Sequence, residues 1–153
     1  MNHEFQRVAI INRGEAAMRF IHAAREFNHE HGASIWTIAL FTDPDRLSLF
    51  VREADEAFYL GSPHVLDENG RTKSRYVDYD SLAHALTAVR ADAVWPGWGF
   101  VAEHADFADL CCEMGIVFIG PTAEAMRRVD LPRCPPARHA DLRENQLPRL
   151  TTR

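Results

Sequence analysis

The chain has almost no lysine and little cysteine, and it lacks any long apolar run. Among its 153 residues there is one lysine, Lys73, and the formal net charge at pH 7 is −5, which argues against a nucleic-acid-binding surface. No apolar run approaches the roughly 20 residues that cross a bilayer, and the first residues lack signal-peptide character. We therefore expect a cytoplasmic protein without nucleic-acid or membrane partners.

Metal-binding and phosphate-binding patterns are also missing. The eight histidines have no ligand-type spacing, and His29 and His31 are two apart, so they point to different faces of a predicted helix. We predict no metal site. Three cysteines do not suit a disulfide framework, and we expect adjacent Cys111 and Cys112 to be reduced core residues. The sequence has no motif of three spaced glycines, the pattern that would indicate dinucleotide binding.

Strand and helix patterns alternate along the chain. This alternation predicts an α/β fold with a doubly wound parallel sheet covered on both faces. The polar stretch between Gly61 and Tyr76 is expected to be a mobile surface loop. Strands are predicted near 7–11, 35–41, 56–60, 92–95 and 116–119, and helices near 15–31, 45–53, 78–90, 104–114 and 122–129.

The segment 93–103 turns a buried strand into a glycine-containing loop with two indoles. Its sequence is Ala-Val-Trp-Pro-Gly-Trp-Gly-Phe-Val-Ala-Glu, and its proline ends sheet pairing. Gly97 and Gly99 permit backbone angles and close approaches that a Cβ would block. In an α/β protein, such a loop at the carboxyl end of a strand is typical of a binding site. The alternative is that Trp95 and Trp98 are core aromatics beside a tight turn.

A second loop joins the first predicted strand to the first predicted helix. It consists of Asn12, Arg13, Gly14 and Glu15. Backbone N–H groups at such a helix start can hold an anion, with Asn12 as the helix cap and Gly14 making the turn tight. With only one glycine, an ordinary turn and cap is the alternative.

Taken in order, four segments resemble the N-terminal domain of biotin carboxylase, the ATP-dependent module of biotin-dependent carboxylases. The resemblance covers residues 7–129. The two tryptophans resemble the form found in multidomain acetyl-CoA carboxylases. The matching segments are Asn12-Arg13-Gly14-Glu15-Ala16-Ala17-Met18-Arg19, Ala54-Asp55-Glu56-Ala57, Trp95-Pro96-Gly97-Trp98-Gly99-Phe100-Val101-Ala102-Glu103-His104 and Phe118-Ile119-Gly120-Pro121.

The resemblance implies a Rossmann-like domain that precedes an ATP-grasp domain. The complete enzyme uses ATP and Mg to activate bicarbonate and carboxylate biotin. Glu103 is expected to have a supporting catalytic role at the cleft, and Trp98, with Gly97 and Gly99, is expected to contact substrate. The family tyrosine and serine are Trp98 and Ala102 here, so two hydroxyls are lost. For Glu103, the alternative is a solvated glutamate stabilised by the helix dipole.

The resemblance also implies partners. They are the remaining carboxylase domains or subunits, a biotin carrier domain and a homo-oligomer. In the family the first helix takes part in a homodimer interface, and Arg19, His22 and Glu26 lie on one face of the predicted helix. A solvated charged face is the alternative.

The resemblance stops after Val129. The family continues with Gly-Asp-Lys, whose lysine helps to hold ATP phosphates, whereas this chain continues with Asp130-Leu131-Pro132. We therefore divide the chain into a domain, 1–129, and a Pro/Arg-rich tail, 130–153. We expect the chain alone to bind no cofactor and to be inactive. The alternatives are a non-catalytic interaction module and an unrelated flavodoxin-like ligand-binding domain.

The tail is expected to be disordered and dispensable for folding. It contains four prolines and five arginines but no Val, Ile or Phe. Its apolar surface is too small to offset a backbone ordering cost of roughly 1–2 kcal/mol per residue. Deleting 130–153 should therefore leave the thermal unfolding midpoint unchanged in a calorimetric scan. A midpoint lowered by many degrees would show that the tail is part of the fold.

Overall fold

The computed structural model describes residues 5–129, so the predicted tail lies outside the described residues. Strands and helices alternate as the sequence predicts. The elements are β1 (Arg7–Ile10), α1 (Gly14–His31), β2 (Trp36–Thr42), α2 (Leu49–Glu53), β3 (Glu56–Gly61), β4 (His64–Leu66), β5 (Thr72–Ser74), α3 (Tyr79–Ala88), β6 (Ala93–Trp95), α4 (Ala105–Glu113), β7 (Val117–Phe118) and α5 (Ala123–Val129).

Five parallel strands form one sheet in the order β3-β2-β1-β6-β7. β2 and β3 lie on one side of β1, and β6 and β7 lie on the other. The strand order therefore reverses between β1 and β6. Successive β1 residues point to opposite faces: Ile10 packs with α1 and α2, whereas Ala9 packs with α3 and α4. The predicted doubly wound α/β fold is confirmed.

Polar contacts fasten the amino edge of the sheet. The Asp55 carboxylate accepts hydrogen bonds from the backbone N–H and the hydroxyl of Thr37, at 2.8 and 2.7 Å. Glu56 pairs with Arg7, whose guanidinium also donates to the Val89 carbonyl. The Ala-Asp-Glu segment therefore joins β3 to β2 and β1, which is a structural role.

Three local predictions were wrong. The stretch 61–76 is not a plain loop but contains the antiparallel hairpin of β4 and β5. The helix predicted near 45–53 is a 3-10 turn, Asp43–Asp45, followed by the five-residue α2. Cys111 is buried, and burial raises the pKa of its thiol to about 12, but Cys112 is exposed.

The described residues contain no helix long and apolar enough to cross a bilayer.

The core should be most sensitive at the central strand. Ile10 is fully buried, so Ile10→Ala should lower the free energy of unfolding by about 2–5 kcal/mol, because it removes apolar contacts and leaves a cavity. Leu47 is 86% exposed, so the control Leu47→Ala should change it by less than about 0.5 kcal/mol. Urea titration measures both values. Equal losses would contradict this assignment of the core.

Candidate functional site at the carboxyl edge of the sheet

A buried asparagine joins the two loops that meet where the strand order reverses. Asn12, 4% exposed, follows β1, and its Nδ2 donates to the carbonyl oxygens of Pro96 (2.8 Å) and Trp98 (2.9 Å), which follow β6. Ligands of doubly wound sheets bind in the crevice at this position. Here the Asn12 side chain occupies the position between the two loops. Residues 96–103 are called the site loop below.

Close packing against Asn12 explains the first glycine of the site loop. Gly97 has a φ of +65°, and a Cβ added there would lie 2.8 Å from both Asn12 Nδ2 and the Trp95 ring. Gly99 also has a positive φ, +70°, but a Cβ there would meet no atom within 4 Å. The expectation that glycine permits both a special backbone angle and a close approach is correct for Gly97, and only the angle applies to Gly99.

The two tryptophans differ in their surroundings. Trp95 stacks on Phe20 of α1 with ring centroids 4.7 Å apart, and it packs against the core. Trp98 touches Trp95 edge-on and is 60% exposed. The core alternative is therefore correct for Trp95 and wrong for Trp98, whose indole faces solvent beside the strand ends.

Phe100 supports the far end of the site loop. Its φ is +47°, which is unusual for a bulky residue, and its ring contacts Tyr76 at a centroid distance of 5.0 Å. Tyr76 is buried, its hydroxyl donates to the Leu40 carbonyl at 2.9 Å, and desolvation raises its pKa well above the usual range. The turn after the β4–β5 hairpin thus fixes the backbone that leads to Glu103.

Glu103 ends the 3-10 turn Phe100–Glu103, immediately before α4. Its side chain is exposed and makes no hydrogen bond or ion pair with any residue in 5–129. The next residue, His104, shares a hydrogen bond of 3.0 Å with the Tyr79 hydroxyl. Glu103 and Trp98 therefore lie on the same loop with exposed side chains and a supported backbone. Their substrate and catalytic roles stay predictions.

Arg13 joins the same edge to the loop after β2. Its guanidinium donates two hydrogen bonds to the buried Asp45 carboxylate, at 2.8 and 2.6 Å, and these bonds raise the pKa of Arg13 above its usual value. Arg13, not Asn12, is the N-cap residue of α1, and Asn12 Oδ1 instead accepts the Arg13 N–H. The cap prediction was wrong because the Asn12 amide turns towards the site loop.

The remaining residues of the first loop and first helix lie at the surface. Gly14 has a φ of +60°, as a tight turn requires, and Glu15 pairs with Arg19 one helical turn later. The side chains of Arg19, His22 and Glu26 are exposed on α1. Anion binding at Asn12, Arg13, Gly14 and Glu15, and the interface at Arg19, His22 and Glu26, stay predictions.

Sequence reasoning missed Asp45 and Tyr76. Asp45 was placed inside a predicted helix, and Tyr76 at the end of a polar loop. A signal for Asp45 was present, because it follows β2, and the carboxyl ends of neighbouring parallel strands meet at one edge. The Tyr76 contact with Phe100 joins residues 24 apart in the chain and had no local signal.

The two glycines of the site loop provide a matched test. Gly99→Ala should lower the free energy of unfolding by roughly 1–2 kcal/mol, because only the positive φ is penalised. Gly97→Ala should cost about 1–3 kcal/mol more, because its Cβ must displace the Asn12 amide or the Trp95 ring. Urea titration of both variants measures the difference. Equal losses of unfolding free energy would mean that the Asn12 amide and the Trp95 ring can move aside at little cost.

Comparison with known proteins places nearly all of the described region in one family. The family model described as biotin carboxylase, N-terminal domain, matches residues 4–126. Biotin carboxylase 1 of Bacillus subtilis (strain 168) is 36% identical over 124 residues, which are 81% of this chain and 25% of that protein. Urea amidolyase of Lachancea kluyveri is 41% identical over 128 residues, 83% of this chain and 6% of that protein.

Solved structures agree. A Campylobacter jejuni biotin carboxylase superposes with a TM-score of 0.67 at 28% identity, covering 81% of this chain and 25% of that one. The Kluyveromyces lactis urea amidolyase gives a TM-score of 0.69 at 34% identity, covering 83% of this chain and 7% of that one. This chain thus spans a quarter or less of these relatives. It belongs to the biotin carboxylase N-terminal domain family.

Proposed function

We propose that this chain acts as the N-terminal domain of a biotin carboxylase and supplies one wall of an active site that other carboxylase domains complete. The observation that carries the proposal is the site loop itself. Trp98 and Glu103 have exposed side chains on a backbone held by Asn12 and Tyr76. An exposed indole on a fixed backbone suits contact with another domain or a ligand, since large exposed apolar groups commonly mark such surfaces.

The two exposed side chains of the wall have different chemistry. Glu103 offers a carboxylate that can orient a polar partner or accept a proton. Trp98 offers a flat apolar surface. Because Ala102 is buried and has no hydroxyl, the polar chemistry of this wall is assigned to Glu103.

The residues in 5–129 do not fit ATP and Mg. Asn12 fills the position between the loops that follow β1 and β6, and Arg13 is already paired with Asp45. This part of the chain has no group of three His, Cys, Asp or Glu residues placed to hold a metal ion. We therefore assign ATP, Mg, bicarbonate and biotin to a site whose phosphate and metal contacts come from other carboxylase domains. The occupied crevice also disfavours a flavodoxin-like ligand-binding domain.

The partners follow from the same assignment. We propose that the remaining carboxylase domains or subunits cover the site loop and that a biotin carrier domain delivers biotin to the completed site. A second copy of the enzyme would contact the exposed α1 face of Arg19, His22 and Glu26. The Trp95 and Trp98 pattern favours an acetyl-CoA carboxylase-like parent. We propose that this parent is cytoplasmic.

A chimera tests the proposed function. The 124 matching residues of Bacillus subtilis biotin carboxylase 1 are replaced by the corresponding segment of this chain, and carboxylation of free biotin is measured. We expect an active chimera. Glu103→Gln should lower its kcat on the order of 10²-fold, because the carboxylate is lost. The unmodified chain alone should release no ADP in response to biotin and bicarbonate.

Glu113→Gln is the matched control, because Glu113 is an exposed glutamate at the other end of α4. It should leave kcat unchanged. A folded but inactive chimera would support the alternative of a non-catalytic interaction module. Equal effects of the two substitutions would remove Glu103 from the site, and biotin-dependent ADP release by the chain alone would contradict the need for other domains.

A further inference from the structure

We propose that Asn12 is a positioning residue for Trp98 and Glu103, acting only as a hydrogen-bond donor to the site loop. Its functional meaning rests on the proposed role of that loop. Asn12 is not expected to touch a reacting group, since its side chain is buried beneath the loop. The Asn12 carboxamide has two N–H bonds, and each of them has one carbonyl acceptor in the site loop.

Each polar atom of the Asn12 side chain has partners that match its role as donor or acceptor. Nδ2 faces two carbonyl oxygens, those of Pro96 and Trp98, while Oδ1 accepts the Arg13 N–H. An aspartate in this place would keep the acceptor for Arg13 but would direct a carboxylate oxygen at two carbonyl oxygens. Size and shape would be preserved while two attractions became repulsions.

The site loop needs an external donor because its own backbone provides little support. Gly97, Gly99 and Phe100 all have positive φ angles, a conformation that persists only where surrounding contacts determine it. The first backbone hydrogen bond within the loop is from the Ala102 N–H to the Gly99 carbonyl. Before that point, the hydrogen bonds that hold the loop backbone in 5–129 are those of Asn12.

Asn12 also connects the site loop to the rest of the carboxyl edge. The next residue, Arg13, is bound to Asp45 after β2, so a shift of this turn is resisted on both sides of β1. At the far end of the loop, Phe100 rests against Tyr76. The segment between these supports carries Trp98, and Glu103 lies three residues after Phe100, at the end of the same 3-10 turn. Loss of the Asn12 donors should therefore release Trp98 first.

Hydrogen exchange of the full chain, followed by mass spectrometry, tests the proposal. Asn12→Asp should increase exchange of the Ala102 and His104 amide N–H groups, which are hydrogen-bonded to the Gly99 and Val101 carbonyls, by about tenfold relative to wild type at pH 7, as expected for loss of roughly one buried hydrogen bond. Near pH 4 the ratio of variant to wild-type exchange should fall. Burial raises the pKa of the introduced carboxyl, so it becomes protonated there, and its O–H group replaces one of the two lost donors. A ratio that does not change with pH would overturn the donor role.

Thr37→Val is the matched control. Thr37 is equally buried, and its hydroxyl binds Asp55 at the opposite edge of the sheet. This variant should lose global stability yet leave exchange of the Ala102 and His104 N–H groups at the wild-type rate. If it exposed the site loop as much as Asn12→Asp does, Asn12 would be merely structural, and the proposal would fail.

A second variant covers the case in which Asn12→Asp does not fold. Asn12→Ala removes both donors without adding repulsion. It should therefore raise loop exchange at every pH, and the ratio of variant to wild-type exchange should not depend on pH. Wild-type protection in this variant would refute the proposal. The exchange measurement uses this chain alone, so an inactive chimera would contradict the proposed function without affecting this result.

Discussion

One carboxamide holds together the point at which the sheet reverses its order. β1 and β6 are neighbours in space but far apart in the chain, and the loops after them contain no mutual backbone hydrogen bond beyond Ile11 N–H to the Trp95 carbonyl. Asn12 supplies the remaining contacts. The conformation of Gly97, the exposure of Trp98 and the path to Glu103 all depend on that contact, because each belongs to the segment that Asn12 binds.

Polar contacts at the two edges of the sheet have different consequences. At the amino edge, Asp55 binds Thr37 and Glu56 binds Arg7, and these contacts join strands to one another. At the carboxyl edge, Arg13 binds Asp45 after β2, and Asn12 binds the site loop, which carries the exposed side chains of Trp98 and Glu103. Polar contacts therefore stabilise both edges, while those at the carboxyl edge also hold a loop with exposed side chains.

Local sequence patterns were sufficient for the repeating elements. Apolar runs of strand length and amphipathic helical spacing predicted all five strands of the parallel sheet and the long helix α1, because burial imposes these periods directly. They failed for the β4–β5 hairpin, whose strands have three residues each, and for α2, which has five. The difference is burial rather than length, since the three-residue β6 was predicted: β4 and β5 contain no buried residue and α2 contains one, Phe50, so they leave no apolar pattern.

The sequence by itself determined the alternation of the five parallel strands with helices, the doubly wound class and the glycine-containing loop after β6, since these depend on local periodicity and on residues such as Gly97 that tolerate unusual backbone angles. Only the tertiary structure decided that Asn12 bridges two loops rather than capping a helix, that Arg13 is paired with Asp45, and that Trp95 is packed while Trp98 is exposed. The physical reason is that one side chain can satisfy several local patterns, and the partners that choose between them are 32 to 86 residues away in the chain.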